Sequence, residues 1–180
     1  IPGGGGTKEM ALRTSDSLKN GDPILPTLQD NFLTVAMAKT STSGFETYGL
    51  NLMRKGTDRV VINSKRVIAE AKAEVLRMYE EGYTQPAHRN DITVLGKTGL
   101  GSLYVGVESF VAGKYISEHD AKIAKKIAFV LCGGDLSAES KVSEQYLLDL
   151  EREAFLSLCG EKKTLERIQH MLQTGKPLRN

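Results

Sequence analysis

The sequence has few cysteines and no long apolar run. Its two cysteines, Cys132 and Cys159, lie far apart and form no CxxC pair. This excludes a framework of disulfides or paired metal ligands and indicates reduced, partly buried thiols of a cytoplasmic protein. No apolar run approaches the roughly 18 residues of a membrane span, and no basic-then-apolar leader is seen. We therefore expect neither a membrane segment nor secretion.

Charge of one sign is also nearly absent. The 24 basic and 22 acidic residues leave a net charge of +2, which is too small for the concentrated basic footprint of a nucleic-acid binder. The chain has 180 residues, of which 40% are hydrophobic, so it can bury the core of one domain or a little more. It begins with Ile1 rather than Met, and we expect it to be a piece of a longer protein.

Helical periodicity dominates what is present. Apolar residues recur at spacings of three and four along most of the chain, and glycines or prolines separate the periodic segments. Ser64 is a candidate N-cap, and Ser117 begins a capping box with an acid three residues on. The polar stretch 83–91 reads as a loop. The predicted helices cover residues 7–19, 28–38, 45–52, 64–81, 99–115, 118–131, 143–159 and 164–173.

One segment, "DRVVI" at residues 58–62, is the only convincing strand, because it holds three consecutive β-branched residues. A lone strand needs a partner for its backbone groups. We therefore predict a mainly α fold with about one short strand, whose missing sheet precedes the chain.

The segment "VLGKTGLG" invites comparison with phosphate-binding loops. A P-loop needs a glycine where this sequence has Asp91. The spacing of Gly96, Gly99 and Gly101 does not fit the dinucleotide pattern either, and no strand-turn-helix unit surrounds it. A tight turn packed against a helix is the better interpretation.

The acidic residues and histidines suggest no metal site. Glu166 and His170 are four residues apart on one helix face, but two ligands do not make a site, and a surface pair is favoured. His88 and His119 lie in or beside loops without a partner cluster. The charged run in "LEREAF" is interpreted as a solvated helix face.

The tetraglycine of "IPGGGGTKEM" raises three possibilities: a phosphate-holding loop, a flexible linker or the edge of something larger. Backbone amides at a helix start, with no side chains in the way, favour a water, an oxyanion or a phosphate. A linker would not run straight into an amphipathic helix. We therefore favour a buried structural turn beside a ligand.

Several segments resemble the crotonase (enoyl-CoA hydratase) superfamily. "IPGGGGTKEMALR" is similar to the family's Pro-Gly-x-Gly-Gly-Thr turn before a helix. The stretch 40–75 resembles the segment that follows the turn there, and 150–180 resembles the terminal helix pair. About two thirds of the chain matches in order. The resemblance implies a remnant of the crotonase core at 1–63 and a helical C-terminal region at 64–180, with an insertion at about 83–141.

A narrower resemblance lies in "AKTSTSGFE", "YISEHDAKIAKKIAFVLCGGDL" and the stretch from Val142 to the C terminus. These segments resemble the C-terminal end of bacterial multifunctional fatty-acid oxidation proteins, which join a 3-hydroxyacyl-CoA dehydrogenase to an enoyl-CoA hydratase. The resemblance implies NAD and acyl-CoA in the whole enzyme, and the upstream chain and a homo-oligomer as partners. It implies no cofactor bound by this chain itself.

The resemblance also assigns site residues. The two catalytic glutamates of the family lie upstream of Ile1 and are absent here. Gly3 matches the glycine whose amide lies beside the catalytic water, and Pro2, Gly3 and Lys176 are the candidate substrate-binding residues. The family's aromatic and basic CoA contacts correspond to Met171 and Thr174, which puts that contact in doubt and makes Met171 a core candidate. The alternative is a free-standing helical interaction module without catalysis.

Overall fold

The computed structural model describes residues 2–19 and 21–180, which divide into two compact units. The first unit runs up to Lys39 and resumes at Arg89, and the second is Thr40–His88. The domain boundary between residues 63 and 64 came from the family resemblance and stays a prediction.

Helices dominate the described residues, so the predicted mainly α class is confirmed. None of these helices combines the length and the apolar character needed to cross a bilayer. The helices are α1 (Gly6–Asp16), α2 (Ile24–Ala36), α3 (Glu46–Gly49), α4 (Val67–Glu80), α5 (Gly96–Ala112), α6 (Glu118–Leu131), α7 (Glu144–Cys159) and α8 (Lys162–Thr174), with a 3₁₀ turn at Ser64–Arg66; the strands are β1 (Ile92–Val94) and β2 (Ser140–Val142).

Two helix starts in the first unit are fixed by serine caps. The Ser117 hydroxyl accepts from the Asp120 N–H at 3.1 Å, and the Asp120 carboxylate accepts from the Ser117 N–H, so the predicted capping box is confirmed. Ser143 caps α7 by accepting from the Tyr146 N–H at 3.1 Å. Each cap satisfies an amide that the helix leaves without an internal partner.

The sheet is a two-stranded antiparallel ribbon that the sequence did not predict. β1 pairs with β2, with Ile92 opposite Val142 and Val94 opposite Ser140. The predicted strand at 58–62 is wrong, because that segment has no strand conformation and no paired neighbour in the part of the chain that is described. Because 58–62 is not a strand and β1 and β2 pair with each other, the argument for a missing upstream sheet no longer holds.

The core of the first unit joins α1 and α2 to the segment expected to be an insertion. α6 packs against α1, α2, α5 and α7, and most core residues come from the 83–141 stretch. The part of that stretch from Arg89 onward is therefore built into the core of the first unit. The buried core residues are Met10, Ala11, Leu12, Leu28, Phe32, Ile92, Val94, Leu100, Leu103, Val107, Ala121, Ala124, Ile127, Ala128, Leu131, Cys132 and Leu147.

The second unit is held by polar contacts more than by a core. The Tyr48 hydroxyl donates to the Asp58 carbonyl at 2.8 Å, and Glu70 pairs with Arg59 and Arg66 at 3.1 and 3.0 Å. No residue of α4 is buried. Ile68, on the apolar face predicted for this helix, is 85% exposed.

Candidate functional site

The tetraglycine forms the start of α1 and is held by a buried carboxylate. We call Gly3–Gly6 the glycine turn. One oxygen of Glu151 accepts from the Gly5 N–H at 2.6 Å, and the other accepts from the Lys8 N–H at 2.9 Å. The Glu151 side chain is 1% exposed. A carboxylate at a helix N-terminus satisfies free amides and interacts favourably with the helix dipole.

Two further side chains on the same face of α7 touch the turn. The Phe155 ring lies so close to Gly3 that a Cβ there would be 2.7 Å from Phe155 Cδ2, and Leu148 would lie 3.4 Å from a Cβ at Gly5. Leu148, Glu151 and Phe155 are spaced by three and four residues, which places them on one stripe of a helix. This stripe, 148/151/155, is the support of the glycine turn.

An ion pair ties the first turn of α1 to the start of α7. Lys8 Nζ lies 2.9 Å from Glu144 Oε2, and the other oxygen of Glu144 accepts from the Arg89 N–H at 2.9 Å. Partial burial opposes the charge on Lys8, but Glu144 and Glu9 outweigh it, so the pKa of Lys8 is raised. The ammonium therefore stays charged and fixed to α7.

A carboxylate of the protein itself occupies part of the helix start where the sequence analysis expected a ligand. Glu151 uses the Gly5 and Lys8 amides, so these are closed to an external ligand. Gly3 and Gly4 are exposed, and no described residue accepts a hydrogen bond from either N–H. Gly3 and Gly4 can therefore still donate to a water or a thioester oxygen.

The structure brings together only some of the residues predicted for the site. Pro2 and Gly3 are exposed, and Pro2 packs so closely on Gly6 that a Cβ there would meet it at 2.7 Å. Lys176 follows α8 and is exposed, with no hydrogen bond or ion pair to the glycine turn among the described residues. Met171, expected in the core, is 44% exposed, so that expectation is wrong.

Sequence reasoning missed the support of the turn. "LEREAF" was predicted to be a solvated face, which holds for Arg152 and Glu153 but is wrong for Glu151. One signal was available: Glu151 falls four residues after Leu147 and three before Ala154, both on the apolar stripe of α7. A charged residue inside an apolar stripe needs a buried partner.

The "VLGKTGLG" segment runs from the end of β1 into the first turns of α5, so the predicted tight turn is wrong for Gly96–Gly101, and a strand does precede the helix. The Gly96 N–H donates to the Cys132 carbonyl at 2.9 Å, and the Lys97 N–H donates to the Leu136 carbonyl at 2.8 Å. Gly96 has φ +58°, and a Cβ there would lie 2.4 Å from the Leu136 oxygen. Two of the first four amides of α5 are therefore already occupied.

Neither the histidines nor the cysteines gather into a reactive cluster. His119 lies in the first turn of α6, beside the preceding loop as expected, but it is buried, and its Nε2 lies 3.0 Å from Thr164 Oγ1. Burial, together with the nearby Arg167 charge, lowers the pKa of His119. Burial raises the pKa of Cys132 to about 12, which leaves it an inert thiol. Within residues 2–19 and 21–180, no three metal-binding side chains come together.

A groove of about 660 Å³ lies between α5 and α6, and the charges along it balance. Lys125 pairs with Glu108 and lies 5.9 Å above the Tyr104 ring. Three lysines face three glutamates along its rim, so it has no preference for an anion. The charged residues are Lys122, Lys125, Lys126, Glu108, Glu118 and Glu153.

Comparison with known proteins finds a relative that is much longer than this chain. The chain is 43% identical over 180 residues to a protein of Bacillus subtilis (strain 168) named probable 3-hydroxyacyl-CoA dehydrogenase. The match covers 100% of this chain but 22% of that protein, so the chain spans about a fifth of the relative's length. No family model matches the chain, and no solved structure matches it significantly. The similarity to a crotonase therefore stays a prediction, while the chain is similar along its whole length to part of a protein named as a dehydrogenase.

Proposed function

We propose that this chain is the C-terminal part of the enoyl-CoA hydratase domain of a longer, cytoplasmic fatty-acid β-oxidation enzyme. That enzyme would add water across a trans-2-enoyl-CoA and then oxidise the 3-hydroxyacyl-CoA with NAD. The observation that carries the proposal is the 43% identity along the entire chain to a longer protein named probable 3-hydroxyacyl-CoA dehydrogenase. The hydratase assignment rests on the crotonase resemblance and on the geometry of the glycine turn.

In this proposal the chain supplies one wall of the acyl-CoA site. The exposed N–H of Gly3 would hold the water that adds to the substrate, since a fixed backbone donor stabilises charge without reorganising. Pro2 would border the same wall, and Lys176 would approach the CoA moiety. The remaining helices would serve packing and association with the upstream chain or with other copies.

The catalytic carboxylates are assigned to the part of the enzyme outside this chain. Two glutamates of α7 that contact the start of α1 are already engaged. Glu151 accepts two backbone N–H bonds, and Glu144 binds the Lys8 ammonium and accepts from the Arg89 N–H. Neither is free to act as an acid or a base on a substrate. Two unengaged carboxylates from upstream would complete the site.

In this proposal NAD binds to a part of the enzyme outside this chain. The glycine-rich segment nearest to a nucleotide motif has its Gly96 and Lys97 amides bonded to Cys132 and Leu136 carbonyls. Two occupied amides leave this helix N-terminus fewer donors for a pyrophosphate. NAD binding is therefore assigned to the rest of the longer protein.

The test compares the full-length protein with the 180-residue chain. Hydration of crotonyl-CoA and NAD-dependent oxidation of 3-hydroxybutyryl-CoA are measured for both. The proposal expects both activities in the full-length protein and neither in the chain alone. Hydration by the short chain would require carboxylates of its own, and absence of both activities from the full-length protein would favour a helical interaction module.

A further inference from the structure

Helix α7 fixes the conformation of the glycine turn, although almost the whole sequence separates the two. Its Glu151 is 146 residues from Gly5 in sequence, yet the two are joined by a 2.6 Å hydrogen bond. The second carboxylate oxygen takes the Lys8 N–H at 2.9 Å. A buried side chain with both oxygens engaged by the backbone cannot move without breaking those bonds.

The same helix limits the turn on its other side. Phe155 lies one helical turn beyond Glu151 and packs its ring directly on Gly3. Phe155 is 40% exposed, so its contact with the turn is made at the surface and not in the core. Glu151 therefore anchors the C-terminal end of the turn, while Phe155 covers the residue at its open end.

We infer that Glu151 and Phe155 are positioning residues for hydration: they aim the Gly3 N–H at the reacting water without touching substrate. The inference rests on the proposed function of Gly3. Donors in a site of this kind act only when their direction is fixed, and a misplacement of about 1 Å can cost about 100-fold in rate. Loss of either support should therefore lower kcat and leave substrate binding by the rest of the site intact.

The test uses the full-length protein and its two activities. Glu151→Gln replaces one accepting oxygen by an NH₂ that faces a backbone donor, so one of the two bonds is lost. We expect kcat for crotonyl-CoA hydration to fall about 10- to 100-fold, with KM within about twofold. Oxidation of 3-hydroxybutyryl-CoA by the same protein should be unchanged, because it belongs to another site. Glu153→Gln, an exposed change on the same helix, is the control and should keep both activities.

A second pair of variants covers the case in which Glu151→Gln does not fold. Phe155→Ala removes the ring from Gly3 and should lower the hydration kcat, whereas Leu156→Ala, its 61% exposed neighbour, should not. Hydrogen exchange of the peptide 2–8 gives a readout independent of activity. It should become faster in Glu151→Gln, because one of the Gly5 and Lys8 amides loses its acceptor.

The outcomes separate the two ideas. A wild-type protein without hydratase activity overturns the proposed function, and with it the positioning role of Glu151 and Phe155. An active wild type whose Glu151→Gln and Phe155→Ala variants keep the normal kcat overturns only the positioning role. A loss of both activities together in the two variants also overturns it, because that result marks a general structural effect.

Discussion

The side-chain amide of Asn31 donates to Thr14 Oγ1 across 2.7 Å, and both residues are buried. The Thr14 hydroxyl in turn donates to the Met10 carbonyl at 2.8 Å. This polar link joins α1 to α2 inside the core. Thr7, two turns earlier on α1, is equally buried, but its hydroxyl has no partner among the described residues. The two threonines therefore make opposite contributions to stability.

Thr14→Val should lower the free energy of unfolding by about 1–3 kcal/mol, because Asn31 loses a buried acceptor while the shape of the side chain is kept. Urea denaturation of the 180-residue chain, followed by helical circular dichroism, measures the change. A variant as stable as the wild type would contradict the contribution of the Asn31 link.

Thr7→Val should raise the free energy of unfolding by about 1 kcal/mol, because a buried hydroxyl without a hydrogen bond is removed. The same denaturation experiment applies, and Thr14→Val is its matched comparison on the same helix. Destabilisation by Thr7→Val would mean that the hydroxyl has a partner, such as a bound water.

The local features of this fold could be predicted from the sequence. The capping box at Ser117 and Asp120 lies within four residues, and helices such as α6 and α7 show their apolar faces in the spacing of residues. Helix boundaries agree to within a few residues. The mainly α class follows from these segments alone.

The features that were missed depend on long-range partners. The β-branched run at 58–62 has strand propensity but no neighbouring strand, whereas the polar "SKV" of β2 becomes a strand because β1 lies beside it. Likewise, the local sequence predicts an exposed Glu151, and its burial follows only from the free amides at the start of α1 that it binds. Such residues are decided by tertiary contacts and not by local pattern.

Gly96→Ala should lower the free energy of unfolding by about 2–3 kcal/mol. The new Cβ would lie 2.4 Å from the Leu136 oxygen and 2.7 Å from the Ala138 oxygen, and φ at this position is +58°. Gly101→Ala, on the exposed side of the same helix with nothing within 4 Å, should instead stabilise by about 0.5–1 kcal/mol. Thermal unfolding of both variants measures the contrast, and equal effects at the two positions would refute the close packing of Gly96.

Ser117→Ala should lower the free energy of unfolding by about 1 kcal/mol, because the first turn of α6 loses its hydroxyl cap. The control is Ser109→Ala on the exposed surface of α5, where the hydroxyl bonds only its own helix carbonyl at 2.9 Å. That change should be neutral or slightly stabilising, since alanine favours helix. Chemical denaturation distinguishes the two, and a neutral Ser117→Ala would show that the Asp120 half of the box suffices.

His119 should make the stability of the first unit depend on pH below neutrality. Its pKa is lowered in the folded protein, first by burial and then by the Arg167 charge; Lys122 and Lys163 act in the same direction, and Glu161 opposes them. Above about pH 6.5, the usual histidine pKa, the imidazole is neutral in both the folded and the unfolded chain, and its stabilising contribution is complete. As the pH falls below this value, the unfolded chain binds a proton that the folded chain does not. The free energy of unfolding then declines, by at most about 1.4 kcal/mol per pH unit, until the pH passes the lower folded-state pKa.

Denaturation between pH 8 and 5 should show this slope in the wild type and in the exposed control His88→Gln. His119→Gln can keep a hydrogen bond to Thr164, but it should lose this dependence of stability on pH. The pKa of the Asp120 carboxyl is lowered: burial raises it, but hydrogen bonds from Arg167 and Ser117 outweigh the burial. This carboxyl therefore stays ionised down to pH 5 and contributes no slope above that pH, which is why the measurement stops there. If His119→Gln keeps the wild-type slope, another group is responsible for the pH dependence.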